Sequence, residues 1–212
     1  MTNSMRDSAL ARGYFHLIAK HLMPKIEVLD LSPNQCTLIG LTLALAVPLG
    51  FWLHPLCGFF LMGISGMADS IDGLLARNTG RTSHFGAFLD SSLDRLSDVA
   101  YLFGFWILFW GSESLIGATA LLWLGMLLTF MISYVKARAE TLGVACQSGL
   151  LERGRRMIFL LLWALLIGIL PGIREQVLWT GLFVYLLLTG ATVVQRFFEI
   201  HRRFHNEPFP PP

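Results

Sequence analysis

Two pairs of aspartates carry the chemistry that this chain of 212 residues could perform. Asp69 and Asp72 stand three residues apart, and Asp90 and Asp94 four apart. On helices each pair shares one face, with Gly86, Asp90 and Asp94 falling at successive i+4 steps. Four carboxylates brought together would repel one another and lose solvation unless something cationic lay between them. Arg77 and Arg95 supply fixed charge nearby. Carboxylate oxygens with no adjacent His or Cys thiolate suit a hard divalent ion, Mg²⁺ or Mn²⁺. Two such ions sharing carboxylates form an arrangement used for in-line displacement at phosphorus. Paired surface charges at a helix end would explain one Asp–Arg neighbour, but not two matched stripes. Gly73, Ala76 and Gly86 add backbone that a helix or a substrate can approach closely.

The elements that must position these residues are membrane helices. Over half of the chain is hydrophobic and 14% is charged, a balance far from that of a soluble domain. Apolar runs cover Cys36–Leu53, Leu56–Ala68, Val99–Trp110, Leu115–Val135, Met157–Leu170 and Val177–Val194. Six crossings are therefore expected, an all-α integral membrane fold. Runs shorter than a ~30 Å hydrocarbon core occur beside the aspartates. At ~1.5 Å per residue, Asp69 and Asp72 lie ~21 and ~26 Å inward from Pro55, and Asp94 and Asp90 lie ~24 and ~30 Å inward from Trp110. All four thus reach one depth, each helix being lipid-like in its outer part and polar in its inner part. The Met157–Leu170 helix must borrow residues from its charged start. Ser32-Pro33-Asn34-Gln35 reads as a capping box with Pro at the first helical position. His54-Pro55, Gly111-Ser112 and Pro171-Gly172 mark bends.

Charge sets the orientation. With the N-terminus inside, 15 of the 16 Lys and Arg residues fall on or near the cytoplasmic side, and Arg174 alone falls in an outer loop. Both termini and the aspartates are thus expected to face the cytoplasm, in a cell (inner or plasma) membrane crossed several times. Before the first crossing, residues 1–30 carry Leu10, Tyr14, Leu17, Ile18 and Leu22 at helical spacing with bases opposite. This is the pattern of a juxtamembrane amphipathic helix on the anionic leaflet. The catalytic domain is expected over 31–205, with a disordered, Pro-rich tail over 206–212. Cys36, Cys57 and Cys146 have neither ligand nor pairing spacing and read as reduced packing residues. No nucleic-acid partner is expected.

The full pattern D-x2-D-G-x2-A-R-x8-G-x3-D-x3-D is met at every fixed position from Asp69 to Asp94. In this the chain resembles the CDP-alcohol phosphatidyltransferase family. The resemblance implies six transmembrane helices, a homodimer, two divalent ions, and a cytidine-diphosphate lipid whose β-phosphorus is attacked by an alcohol as CMP leaves. Carried onto this sequence, it implies that Asp69 and Asp90 bridge both metals and that Asp72 binds one. Asp94 would bind the other and act as general base. Gly73, Arg77 and Ser83 would hold the CDP group, with Asn34 and Thr37 nearby.

A second cluster comprises Ser133, Lys136, Arg138, Arg153, Arg155, Arg156 and Arg196. Positive-inside bias accounts for some of these bases, but so many beside a metal site suggest an anionic acceptor. Their segments are similar to those of the phosphatidylinositol-phosphate synthases of the family. That similarity implies an inositol 1-phosphate acceptor, with its phosphate on Lys136, Arg156 and Arg196 assisted by Ser133, and CDP-diacylglycerol as donor. Glycerol 3-phosphate is the rival acceptor. A divalent-cation transporter would instead need acids along a whole pore, and the outer halves of these helices have none.

Overall fold

Within lipid, backbone N–H and C=O groups must be satisfied inside the segment that carries them, so each apolar run folds as a helix. The computed structural model describes Gly13, residues 31–146 and residues 148–206. The expected juxtamembrane helix (1–30, Gly13 apart) and the tail beyond Asn206 lie outside the described residues. Among the described residues there are six α-helices and no strand. They are α1 (Pro33–Leu53), α2 (Pro55–Asn78), α3 (His84–Ile107), α4 (Leu115–Thr141), α5 (Arg153–Ile169) and α6 (Arg174–Asn206), with a 3₁₀ turn at Pro171–Ile173 before α6. The chain forms two compact units, Met1–Leu108 and Phe109–Pro212.

Among the described residues, four segments are long and apolar enough to cross a bilayer: α1, α2, α4, and α6 with its preceding turn. The other two helices differ for local reasons. The first 15 residues of α3 carry Asp90, Asp94, Arg95 and Asp98, and α5 has only 17 residues, about 26 Å at 1.5 Å per residue. As its short apolar run required, α5 starts within the basic stretch, at Arg153. Large apolar side chains point outward, with Ile116 86%, Leu187 72% and Leu53 71% exposed. Exposure on that scale would be an aggregation hazard in water, and it marks a surface that faces lipid. The protein is embedded in a membrane.

In the first unit, α1 begins as its sequence dictates. Ser32 accepts from the Gln35 backbone N–H, and the Gln35 side chain returns a bond to the Ser32 N–H at 2.8 Å. The chain then folds back at His54, whose Nδ1 caps the start of α2 by accepting from Leu56 N–H. Near this end the Phe51 ring lies against Gly58 of α2 and Gly104 of α3, where a Cβ would overlap it. Closer to the aspartates, the Ser65 hydroxyl donates to the Gly40 carbonyl (2.7 Å) and meets the Tyr101 hydroxyl at 2.8 Å. Ser65 is shared between the two contacts, so one buried polar knot ties α1, α2 and α3 together.

In the second unit, Tyr185 of α6 is fully buried, with its ring over Gly125 and its hydroxyl against Thr129 of α4. The Trp163 indole of α5 donates to the Val177 carbonyl of α6 at 3.0 Å, in the space left by Gly181. The connection between α4 and α5 is fastened to one stripe of α6. Thr192 accepts from Leu151 N–H, Gln195 from Leu150 N–H, and Glu199 from Ser148 N–H, while Arg196 donates to the Ser148 carbonyl. These four residues fall at i, i+3, i+4 and i+7, one face of the helix. The Cys146 thiol donates to Glu199 at 3.6 Å, and burial pushes its pKa up. It is therefore a protonated packing residue, as its isolated position in the sequence suggests. Cys36 is buried and unpaired in a disulfide, and Cys57 is exposed.

Candidate metal and nucleotide site

Both α2 and α3 pack on α1, and the one-turn spacing on α2 puts Asp69 and Asp72 on one face of that helix. There Asp90 joins them, and ligand oxygens of the three carboxylates lie within 4.8 Å of one another. Asp72 is buried, and Asp69 and Asp90 are half-buried. The donor set is oxygen only, with no His or Cys in the group. Three carboxylates at this separation fit a hard, oxygen-preferring divalent ion and would oppose one another without it.

Asp94 does not belong to this group of three, although its spacing along α3 continues the stripe. It is buried one turn farther on, with Arg95 Nη1 3.5 Å from its Oδ2, and Arg95 also donates to the Ser91 carbonyl. Asp98, at the next i+4 step, is buried as well. The same periodicity that singled out Asp90 and Asp94 could have extended the stripe to it.

Three of the residues expected at the CDP group lie close together or beside a glycine, namely Asn34, Arg77 and Ser83. Arg77 folds back along α2 so that its guanidinium lies over Gly73, with Nη1 3.4 Å from where a Cβ would be. Ser83 caps α3, its Oγ accepting from Gly86 N–H at 2.9 Å. A Cβ on Gly86 would stand 3.0 Å from Ser83 Oγ and 3.3 Å from Asn34 Oδ1. The structure therefore brings Asn34, Ser83 and Gly86 together at the start of α1 and α3. Thr37 takes a different place: its hydroxyl donates to Asp72 Oδ2 at 2.6 Å. The sequence contains no signal for that pairing, since the partners are 35 residues apart.

The basic residues of the second unit divide by burial. Lys136 is exposed, with Nζ 3.9 Å from Glu140, and Ser133 is half-buried on the same turn. Arg156 and Arg196 are 2% and 5% exposed. Arg196 is held from two sides, its Nε donating to the Ser148 carbonyl at 3.0 Å and its Nη1 to the Ile132 carbonyl. Ile132 precedes Ser133 and lies one turn before Lys136, so this contact sets the guanidinium against the turn that carries both. Its charged neighbours are Glu152, Arg156 and Glu199, and the two carboxylates offset the buried positive charge. Arg155 donates instead to the carbonyls of Gly149 and Leu150, both at 3.3 Å.

Comparison with known proteins identifies the family. Residues 30–187 match the CDP-alcohol phosphatidyltransferase family. The archaetidylinositol phosphate synthase of Pyrococcus horikoshii is 33% identical over 177 residues, covering 82% of this chain and 86% of the relative. The crystal structure of Mycobacterium tuberculosis phosphatidylinositol phosphate synthase with CDP-DAG bound is similar with a TM-score of 0.71 and 27% identity, over 84% of this chain and 90% of that one. The same enzyme in complex with manganese and citrate aligns with a TM-score of 0.71 and 26% identity, over 84% and 86% of the two chains.

Proposed function

This chain belongs to the CDP-alcohol phosphatidyltransferase family, and we propose that it transfers the phosphatidyl group of CDP-diacylglycerol to inositol 1-phosphate, releasing CMP. The observation that carries this reading is the convergence of Asp69, Asp72 and Asp90 within 4.8 Å. The relatives support the acceptor: archaetidylinositol and phosphatidylinositol phosphate synthases differ in their lipid by name and share inositol phosphate. The manganese complex of the mycobacterial enzyme supports a divalent ion at the aspartates.

Two divalent ions, Mg²⁺ or Mn²⁺, would be held by Asp69, Asp72, Asp90 and Asp94. When bound they neutralise the pyrophosphate and lower the pKa of the acceptor hydroxyl. The protein's own groups do the rest. Arg77 presents a planar fork of donors to the phosphates, and Gly73 leaves the backbone open beneath it. Asn34 and Ser83 bind the nucleotide where they meet at Gly86. Asp94 takes the proton of the acceptor hydroxyl as the new O–P bond forms at the β-phosphorus. The bond from that phosphorus to the bridging oxygen breaks, and CMP leaves with the electron pair. Lys136, Arg156 and Arg196, with Ser133, hold the acceptor's phosphate through charge-assisted bonds.

We read all six helices as crossing a cell membrane, including α3 and α5, whose polar starts face the cytoplasm and carry the site. A homodimer is the expected assembly. Purified protein in detergent, given CDP-diacylglycerol and one acceptor at a time, tests the reading through CMP release. Inositol 1-phosphate should support release, whereas glycerol 3-phosphate, serine and free inositol should not. Preferential release with glycerol 3-phosphate would reassign the acceptor, and no release with any of them would overturn the reading.

A further inference from the structure

The contact between Thr37 and Asp72 has the geometry of a support for the acidic group rather than of a lipid contact. We propose that Thr37 is a positioning residue that orients the Asp72 carboxylate for metal binding. This rests on reading Asp69, Asp72 and Asp90 as metal ligands.

The hydroxyl of Thr37 has one proton and two acceptors within reach, the Pro33 carbonyl at 3.1 Å and Asp72 Oδ2 at 2.6 Å. A bond to an ionised carboxylate is the shorter and stronger kind, so the proton goes to Asp72. Both residues are buried, at 7% and 5% exposure. Beside them Cys36, Ile71 and Leu75 form an apolar cluster with Leu31 and Leu74. Cys36 and Ile71 directly precede Thr37 and Asp72, so the bond lies against a dry wall where competition from water is weak.

The alignment of the two helices is set independently of this bond. The capping box fixes where α1 begins, and the Ser65 bond to the Gly40 carbonyl fixes its height against α2. Gly40 is three residues after Thr37, and Ser65 seven before Asp72, so the Thr37 hydroxyl is delivered to the carboxylate by two fixed helices. Holding Oδ2 stops rotation about the Cβ–Cγ bond. The remaining lone pairs of Asp72 are then directed toward the oxygens of Asp69 and Asp90. Hydrogen-bond partners of ligating carboxylates act in this way, and their loss commonly weakens metal affinity by about 10- to 100-fold.

The test is a Mn²⁺ titration of the full-length protein without substrate, read by the paramagnetic resonance of free Mn²⁺, followed by the KM for CDP-diacylglycerol at saturating Mn²⁺. Thr37→Val keeps the shape and removes the donor, and Thr37→Ser keeps the donor. Thr37→Val should weaken Mn²⁺ binding by about 10- to 100-fold, and Thr37→Ser should bind within about threefold of the parent. Saturating Mn²⁺ should restore the turnover of the Val variant. Should Val prevent folding, Thr37→Ala, which leaves room for water beside Asp72, is titrated in its place with the same expectation. Parental Mn²⁺ affinity in the Val or Ala variant overturns the proposal, and a raised lipid KM alone would make Thr37 a lipid contact. A parent protein that binds no Mn²⁺ would instead overturn the metal reading itself.

Discussion

Lys136 and Arg196 are assigned the same acceptor phosphate, yet their surroundings predict different consequences when each is truncated. Arg196 is 5% exposed and donates to two carbonyls, Ser148 on the α4–α5 connection and Ile132 within α4. Arg196→Ala removes the guanidinium donor from both carbonyls and one of the cations near Glu152 and Glu199, Glu199 keeping its pair with Arg203 at 3.0 Å. Bonds to charged groups contribute about 1.5–3 kcal/mol each, and water entering the vacated space recovers part of that. A net loss of about 2–4 kcal/mol of stability is therefore expected. Lys136 is exposed, with its Nζ 3.9 Å from Glu140 at i+4, an arrangement that typically contributes about 0.3–0.5 kcal/mol. Lys136→Ala should thus raise the KM for inositol 1-phosphate and leave stability unchanged. Arg196→Ala should raise that KM and also lower the unfolding temperature in detergent, with KM for the CDP-lipid nearly unchanged in both. Thermal unfolding followed by loss of the monodisperse peak, run beside the kinetics, separates the two. Equal unfolding temperatures for the two variants would refute the view that Arg196 fastens the connection.

Chelation should abolish CMP release and added Mn²⁺ or Mg²⁺ should restore it, because three carboxylates within 4.8 Å otherwise repel; full turnover by metal-free protein in EDTA would contradict this. Asp94→Asn should lower turnover by about 10²–10⁴-fold while leaving CDP-lipid binding intact, whereas Asp69→Asn should weaken Mn²⁺ and nucleotide binding together; near-normal turnover of Asp94→Asn would remove it as the base. A Cβ at Gly104 would stand 2.6 Å from Phe51, so Gly104→Ala should destabilise the first unit by roughly 1–3 kcal/mol through overpacking. Unfolding at the parental temperature would show that Phe51 is not wedged there.

Local signals in the sequence were readable because their partners are local. The capping box of Ser32 and Gln35, the α2 start at Pro55 after His54, and the pairing of Asp69 with Asp72 all span three residues or fewer. The short apolar runs beside the aspartates also had a physical meaning, since α2 and α3 do continue past them into polar turns. Spacing could not say which of the acids converge. Asp90 and Asp94 are equivalent by periodicity, and only the folding of α2 and α3 onto α1 brings one of them to Asp69 and Asp72.

The α6 stripe shows why the rest was illegible. Thr192, Gln195, Arg196 and Glu199 interrupt an apolar helix at one-face spacing. Polar groups in such a helix are expensive unless satisfied, so the stripe announces that partners exist. Three of the four residues accept from backbone N–H groups of Ser148, Leu150 and Leu151, and the fourth donates to a backbone carbonyl. A backbone group looks the same at every residue, so the connecting segment carries no side-chain pattern that could identify it as the partner. The same reasoning applies to Ser65, whose acceptor on α1 is the carbonyl of a glycine. Side chains that bind nearby side chains can be paired by chemistry and spacing, as Ser32 and Gln35 are. Side chains that bind backbone can be located only by folding the chain, and in this protein they hold both the helices beneath the aspartates and the segment beside the buried arginines.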